Sequence, residues 1–221
     1  MKYCRRRKAT TLFPEGLTIP KGARKQEKHI LQPNDLVKLF ASEETVYRGA
    51  AVPDPLIHAY RFQVLTGLRS GELLGLEWRD ISDGKVFIKR SINRDNEVTK
   101  GKNENAARCF VISESAKREL EAQREINMFG RVFGLLTQDT YRCRWKAYCK
   151  HQGITPTTPY ELRHTFVSIA KTPPEGSVKA LVGHSRNMDT FSTYGHMVTG
   201  EMEQTTYKIE GIFEDILQSV L

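Results

Sequence analysis

The chain has 221 residues, of which 39% are hydrophobic and 27% charged, a composition typical of one globular domain with its own core. No apolar run approaches the roughly 18 residues of a membrane-spanning helix, and no secretory signal pattern is present, so we expect neither a membrane span nor a signal peptide. The 34 Lys and Arg against 26 Asp and Glu give a net charge of +8, which favours a polyanionic partner such as nucleic acid.

The cysteines give no sign of a metal site. Cys4, Cys109, Cys143 and Cys149 form no CxxC pair and are predicted to be reduced thiols. Cys143, Cys149 and His151 are near neighbours, but steps of six and two residues place them on different faces of a helix. We therefore expect no metal and no other cofactor.

The first part of the chain predicts an arm followed by a domain. Residues 1–32 combine clusters of Lys and Arg with Pro and Gly and show little apolar periodicity, which is typical of a basic arm or linker. Pro33, Asn34 and Asp35 then precede an amphipathic segment, as at a capped helix start. The folded domain is predicted to begin there and to extend over residues 33–221.

The remaining pattern predicts a mainly α-helical domain with one small antiparallel β-sheet, an α+β fold. Short apolar segments around Val86 and over residues 109–112 are typical of strands, with a polar turn at residues 82–84 and a basic hairpin over residues 93–108. The last helix either packs on its own core or docks on a neighbouring protomer. Helices are predicted over residues 56–65, 70–76, 115–128, 139–151, 160–170, 178–182 and 209–221.

An arginine stands among small and apolar residues in the segment Thr-Gly-Leu-Arg-Ser-Gly-Glu-Leu-Leu-Gly-Leu, residues 66–76. Gly67 offers a helix stop, so Arg69 is predicted to lie at a helix junction. Burial of a guanidinium is costly without a partner, and Glu72, three residues on, can hold it. Taken alone, this segment fits a structural ion pair whose glycines, four residues apart, allow close helix packing.

Two further segments place titratable side chains beside apolar residues. Tyr-Glu-Leu-Arg-His over residues 160–164 places Arg163 near the start of an apolar helix, where an anion is stabilised. Leu-Val-Gly-His over residues 181–184 is followed ten residues after His184 by Tyr194, within Thr-Tyr-Gly-His. Each segment alone has an ordinary structural explanation.

Taken in order, these segments resemble the boxes of the tyrosine recombinase family, which includes phage and conjugative-transposon integrases. The resemblance covers about residues 30–200. It implies a catalytic domain that cuts and rejoins DNA without metal or ATP through a 3′-phosphotyrosyl link at Tyr194. Arg69 and Arg163 would clamp the scissile phosphate, and His184 would hydrogen-bond and position it.

The family also has a general acid in the hairpin between two strands. Lys100 fits this role best and Lys102 is its rival. DNA contacts are expected from both lysines, from the two arginines and from His164. Where the family usually has histidine, this chain has Tyr160, a poor general base near neutral pH because the pKa of a phenol is about 10. His164 is a candidate to compensate.

The resemblance also sets the expected partners and the alternatives. Double-stranded DNA is the expected substrate, and no small-molecule substrate is expected. We expect the protein to be a monomer without DNA and to assemble into a tetramer on DNA. Its expected location is the bacterial cytoplasm. Family members usually carry an upstream core-binding domain, which we expect to be absent from this chain. A degenerate, non-catalytic DNA-binding protein of this fold and a type IB topoisomerase are the competing interpretations. No protease, P-loop or α/β-hydrolase motif is found.

Overall fold

The computed structural model describes residues 29–100, 107–183 and 200–219. Within these ranges the helices are α1 (Pro33–Ala41), α2 (Ile57–Thr66), α3 (Ser70–Gly75), α4 (Glu114–Ile126), α5 (Gln138–Gln152), α6 (Pro159–Ile169), α7 (Glu175–Val182) and α8 (Glu201–Gln218). The strands are β1 (Glu44–Tyr47), β2 (Ala50–Pro53), β3 (Ile81–Ser82), β4 (Lys85–Ile88), β5 (Ser91–Ile92), β6 (Val98–Thr99) and β7 (Arg108–Val111). The predicted α+β class and the helices of residues 56–182 are confirmed to within a few residues at their ends.

The strands form three small antiparallel units in the described part of the chain. β3, β4 and β7 make the predicted sheet, in which Val86 lies opposite Phe110. β1 pairs with β2 and β5 pairs with β6 as separate hairpins. The expectation of a single sheet was therefore wrong. The extra strands have only two to four residues, which is too short for an alternating pattern to stand out.

Helix α2 is the centre of the core. All of its ten residues are buried, and it packs between α4 and α6. The ring of Tyr60 lies 4.9 Å from that of Trp145 and 5.4 Å from that of Tyr141, both on α5, measured between centroids. Burial of these aromatic rings supplies much of the hydrophobic stabilisation that fixes α5 on α2.

Helix α2 is capped at Gly67, the glycine that was predicted to stop it. Gly67 has a left-handed conformation (φ 65°), and its N–H donates to the carbonyl oxygen of Gln63. A Cβ at Gly67 would lie 2.5 Å from Cδ1 of Phe166 on α6, so a side chain is excluded by contact as well as by φ. This close approach brings the α2–α3 junction against α6.

The packed part of the chain begins before Pro33. Leu31 is 3% exposed, and its N–H donates to Oγ1 of Thr165 over 3.0 Å. The N–H of His29 donates to Oε1 of Glu161. The segment 29–32, assigned to the arm from the sequence, therefore packs on α6 through His29 and Leu31. No periodic pattern marks this packing, because it uses one buried apolar side chain and backbone hydrogen bonds. Residues 1–28 lie outside the described ranges.

The last helix lies on its own domain. Ile209 and Phe213 are buried, and Oε1 of Glu210 accepts from the N–H of Ser115 over 2.7 Å. α8 begins at Glu201, eight residues before the predicted start. In this single chain it packs on the core of its own domain, which is the first of the two predicted alternatives.

α8 is the longest described helix, and neither it nor any other described helix is long and apolar enough to cross a membrane.

Candidate active site

Arg69 lies at the junction of α2 and α3, as predicted. Its Nη1 donates to Oε1 of Glu72 over 2.7 Å, and its backbone N–H donates to Oε2 of the same carboxylate over 3.0 Å. Nη2 donates to the carbonyl oxygen of Gly183 over 3.1 Å. The side chain of Arg69 keeps 26% exposure while that of Glu72 has 2%. The predicted pairing of the two residues is confirmed, and the guanidinium is held with part of its surface open.

Gly71 lets the β5–β6 hairpin approach α3. A Cβ at Gly71 would collide with the carbonyl oxygen of Ile92 and would lie 2.5 Å from Oγ of Ser91. The glycines of this segment do serve close packing, but the partner of Gly71 is a strand and not a helix. Ser91, which lies against Gly71, pairs with Thr99, the residue before Lys100, and Lys100 itself is exposed.

Arg163 is almost fully enclosed, with 2% exposure. Its Nη1 donates to the carbonyl oxygen of Gly67 over 2.8 Å, and its Nη2 is buried without a hydrogen-bond partner among the described residues. Burial, followed by the charge of Arg69, lowers the pKa of Arg163 to about 10. The cation is therefore under-compensated, and an anion bound at Nη2 would stabilise it.

A third arginine was missed in the sequence. Arg108, the first residue of β7, donates from Nη1 and Nη2 to the two oxygens of Glu72 over 3.1 and 2.9 Å. Its Nε donates to the carbonyl oxygen of Leu181 over 2.8 Å. The available signal was a charged residue directly before the apolar strand predicted over residues 109–112, where an unpaired guanidinium would be costly if buried.

These residues form what we call the arginine cluster: Arg69, Arg108 and Arg163 with Glu72. Burial raises the pKa of Glu72, but hydrogen bonds and charge from Arg108 and Arg69 lower it more, so its pKa is below the ordinary value of 4.5. Among the described residues of the cluster, three guanidiniums thus face one carboxylate. The excess of two positive charges would stabilise a bound anion, and planar guanidiniums match the oxygens of a phosphate.

The other predicted site residues fall into two groups. Tyr160 is 49% exposed, and its ring meets His164 edge to face at 4.7 Å between centroids, on the same helix as Arg163. Lys102, His184 and Tyr194 lie outside the described residues. The described chain thus brings Arg69, Arg163 and Gly183, the residue before His184, together at one place.

Metal ligands are not clustered in the described ranges. No group of three or more His, Cys, Asp or Glu that could hold a metal ion occurs there. Cys109, Cys143 and Cys149 are free thiols, and burial raises the pKa of Cys149 to about 12.

The fold and the ordered boxes agree with a known family. Residues 29–200 match the family model described as the phage integrase family. This chain belongs to that family. It is 25% identical over 178 residues to the ICEBs1 integrase of Bacillus subtilis (strain 168), a match that covers 69% of this chain and 48% of the relative. The chain thus matches about half the length of this curated relative.

Solved structures share the fold. The Tn1549 transposon integrase in complex with circular intermediate DNA superposes with a TM-score of 0.60 at 18% identity, over 84% of this chain and 68% of that one. A lambda integrase tetramer bound to a Holliday junction superposes with a TM-score of 0.55 at 18% identity, over 76% of this chain and 51% of that one. The chain has the fold of an integrase catalytic domain.

Proposed function

We propose that this chain is the DNA-cleaving part of a site-specific recombinase that forms a 3′-phosphotyrosyl intermediate at Tyr194. The observation that carries the proposal is the arginine cluster, above all Nη2 of Arg163, which is buried without a partner among the described residues. A single phosphodiester supplies the negative charge and the oxygen acceptor that this nitrogen lacks. Family membership supports the same conclusion independently.

In the proposed reaction, Arg69 and Arg163 bind the nonbridging oxygens of the scissile phosphate. The oxygen of Tyr194 attacks phosphorus in line, the bond from phosphorus to the 5′-oxygen breaks, and the strand is left on the tyrosine. Charge grows on the nonbridging oxygens as this happens, so donors already held in place lower the barrier. The 5′-hydroxyl of a second strand reverses the step, and the phosphodiester energy is kept throughout.

The leaving 5′-oxygen needs a proton. We assign its donation to Lys100, which is exposed directly after β6, and keep Lys102 as the alternative. His184 is assigned a hydrogen bond to the phosphate, and its position directly after Gly183 supports this assignment because the carbonyl of Gly183 contacts Arg69.

The proton of Tyr194 must also be taken up. Tyr160 stands where the family usually has a histidine, and a phenol accepts a proton poorly at neutral pH. We therefore propose slower cleavage than a histidine at this position would give. We assign to His164, whose ring contacts that of Tyr160, a contact with the DNA backbone or a part in this transfer.

The partners follow from the chemistry. We propose double-stranded DNA as the substrate, a basic arm over residues 1–28 that contacts its backbone, and a catalytic domain that starts at His29, where the chain packs on α6. The tetramer of lambda integrase on a Holliday junction supports an exchange between four protomers. We further propose that the chain is a monomer in the absence of DNA. We also propose that the protein acts on a mobile element and is located in the bacterial cytoplasm.

The test is a trapped cleavage reaction. The protein is mixed with duplex DNA that carries the end sequence of its element and a nick near the cleavage site, so that the cut fragment diffuses away. A protein–DNA adduct on a denaturing gel, absent for Tyr194→Phe, would support the proposal. No adduct despite DNA binding would instead favour the non-catalytic DNA-binding protein, and relaxation of supercoiled DNA without any element sequence would favour a type IB topoisomerase.

A further inference from the structure

Arg108 has no place in the reaction described above, yet it makes the most complete set of contacts in the arginine cluster. Its side chain is 8% exposed and that of its partner Glu72 is 2% exposed. Both oxygens of Glu72 are bound by its two terminal nitrogens, and Nε is bound by the carbonyl oxygen of Leu181. It is therefore turned away from solvent and toward other protein groups.

Glu72 is shared between Arg108 and Arg69. Oε1 accepts from Nη1 of both arginines, and Oε2 accepts from Nη2 of Arg108 and from the backbone N–H of Arg69. Because Arg108 neutralises Glu72, the carboxylate can orient Arg69 without cancelling its charge toward an anion. Arg108 thus keeps Arg69 both oriented and electrostatically available.

Arg108 also holds the turn that leads to His184. Its Nε binds the carbonyl of Leu181, while Arg69 binds the carbonyl of Gly183 two residues later. Gly183 has a left-handed backbone (φ 65°), and a Cβ there would lie 2.8 Å from Nη1 of Arg108. The glycine before His184 is therefore needed for its backbone conformation and for the close approach of Arg108.

We propose that Arg108 is a positioning residue that fixes Arg69, through Glu72, and the turn before His184, through Leu181, as one unit. This inference rests on the proposed function, since positioning matters only if a phosphate reacts there. A guanidinium is required because one planar group must reach two carboxylate oxygens and a carbonyl at once. A lysine can replace the charge but not the three directed contacts.

The test is Arg108→Lys in single-turnover cleavage with saturating trapped DNA, recording the first-order rate constant of adduct formation separately from the amplitude. We expect the rate constant to fall on the order of 10-fold to 100-fold, since small displacements of reacting groups cost this much. DNA affinity should change by less than about threefold, because most phosphate contacts remain. A purely structural role would lower amplitude and melting temperature and leave the rate constant unchanged.

Arg90→Lys is the matched control. Arg90 likewise binds a buried carboxylate, Asp80, and a backbone carbonyl, that of Gly75, but at the far end of α3. The same substitution there should leave the rate constant within about twofold of wild type. A similar loss in both variants would mean that the effect is general destabilisation, which would overturn the inference.

A second variant covers the case in which Arg108→Lys fails to fold. Glu72→Gln combined with Arg108→Met removes both buried charges together, so neither is left unpaired. This double variant should fold and cleave as slowly as Arg108→Lys. A wild-type rate constant in either folded variant would refute the positioning role, whereas no adduct from the wild-type protein would refute the proposed function itself.

Discussion

Arg163 donates from Nη1 to the carbonyl oxygen of Gly67, 96 residues earlier in the chain and two residues before Arg69. This bond links α6 directly to the junction that carries Arg69. The same glycine has a left-handed backbone and touches Phe166, so its conformation, its contact and its carbonyl all serve one arrangement. Arg69 and Arg163 are therefore positioned by the same backbone segment, around Gly67, and not independently of each other.

Arg163→Lys should reduce the rate constant of adduct formation by roughly 100-fold to 1000-fold, the usual effect of removing one donor that stabilises charge in a transition state. A lysine keeps the charge but loses the second nitrogen directed at the phosphate. Trapped cleavage under single-turnover conditions measures the effect.

Arg61→Lys is the control for loss of a buried arginine. Arg61 is 6% exposed and donates to the carbonyl oxygens of Leu39 and Phe40, remote from the arginine cluster. The Arg61→Lys substitution should lower the melting temperature while leaving the rate constant of adduct formation near that of wild type. Equal rate constants for the Arg163 and Arg61 variants would contradict a phosphate-binding role for Arg163.

Glu72→Gln should flatten the acid side of the stability curve. The pKa of Glu72 is lower in the folded chain than the ordinary 4.5 of the unfolded chain, so its contribution is present above pH 4.5 and is lost as pH falls through the folded pKa. Urea unfolding at a series of pH values should therefore give a shallower fall below pH 4.5 for the variant. Parallel curves for the two proteins would show that Glu72 is not the linked group.

Gly67→Ala should destabilise the domain. The left-handed backbone costs about 1 to 2 kcal/mol for a residue with a Cβ, and contact with Phe166 adds about 1 to 3 kcal/mol. Gly211→Ala, in the interior of α8 with open space around the glycine, should stabilise by roughly 0.5 to 1 kcal/mol. Denaturant unfolding compares them, and a Gly67 variant as stable as the Gly211 variant would contradict the packing described for α6.

Tyr160→His should accelerate cleavage near neutral pH. A neutral imidazole accepts a proton far better than a phenol, and general-base help is worth about 100-fold or more. The rate should rise with pH through about 6.5, the usual pKa of histidine, because only the neutral form accepts the proton.

Tyr160→Phe removes the hydroxyl alone and provides the comparison for Tyr160→His. Equal rates for the two variants would exclude proton transfer at this position. His164→Ala separates the other candidate: unchanged cleavage would remove His164 from the mechanism, and a loss comparable to that of Tyr160→Phe would support its participation.

The helices could be predicted because their signals are local. The stop at Gly67 and the start at Ser70 depend on a few neighbouring residues, so Arg69 was placed at its junction from the sequence alone. The β1–β2 hairpin was missed since its strands have four residues each and little burial. Short exposed strands are specified by their partners and not by their own pattern.

Contacts within the candidate site could be predicted where both residues lie in one sequence box, but not where they are far apart in the chain. The Arg69–Glu72 pair spans three residues and was expected. Arg108 lies 36 residues from Glu72 and 73 from Leu181, and nothing local marks such a partnership. The catalytic and DNA-binding roles assigned to all of the predicted site residues stay predictions.

The identity of the residue that becomes linked to DNA decides whether Tyr194 is the nucleophile. The trapped adduct is digested with nuclease and protease, and mass spectrometry locates the nucleotide remnant among the eight tyrosines of the chain. We expect a remnant on the oxygen of Tyr194 alone. A remnant on another residue, such as the exposed Tyr207 on α8, would contradict it.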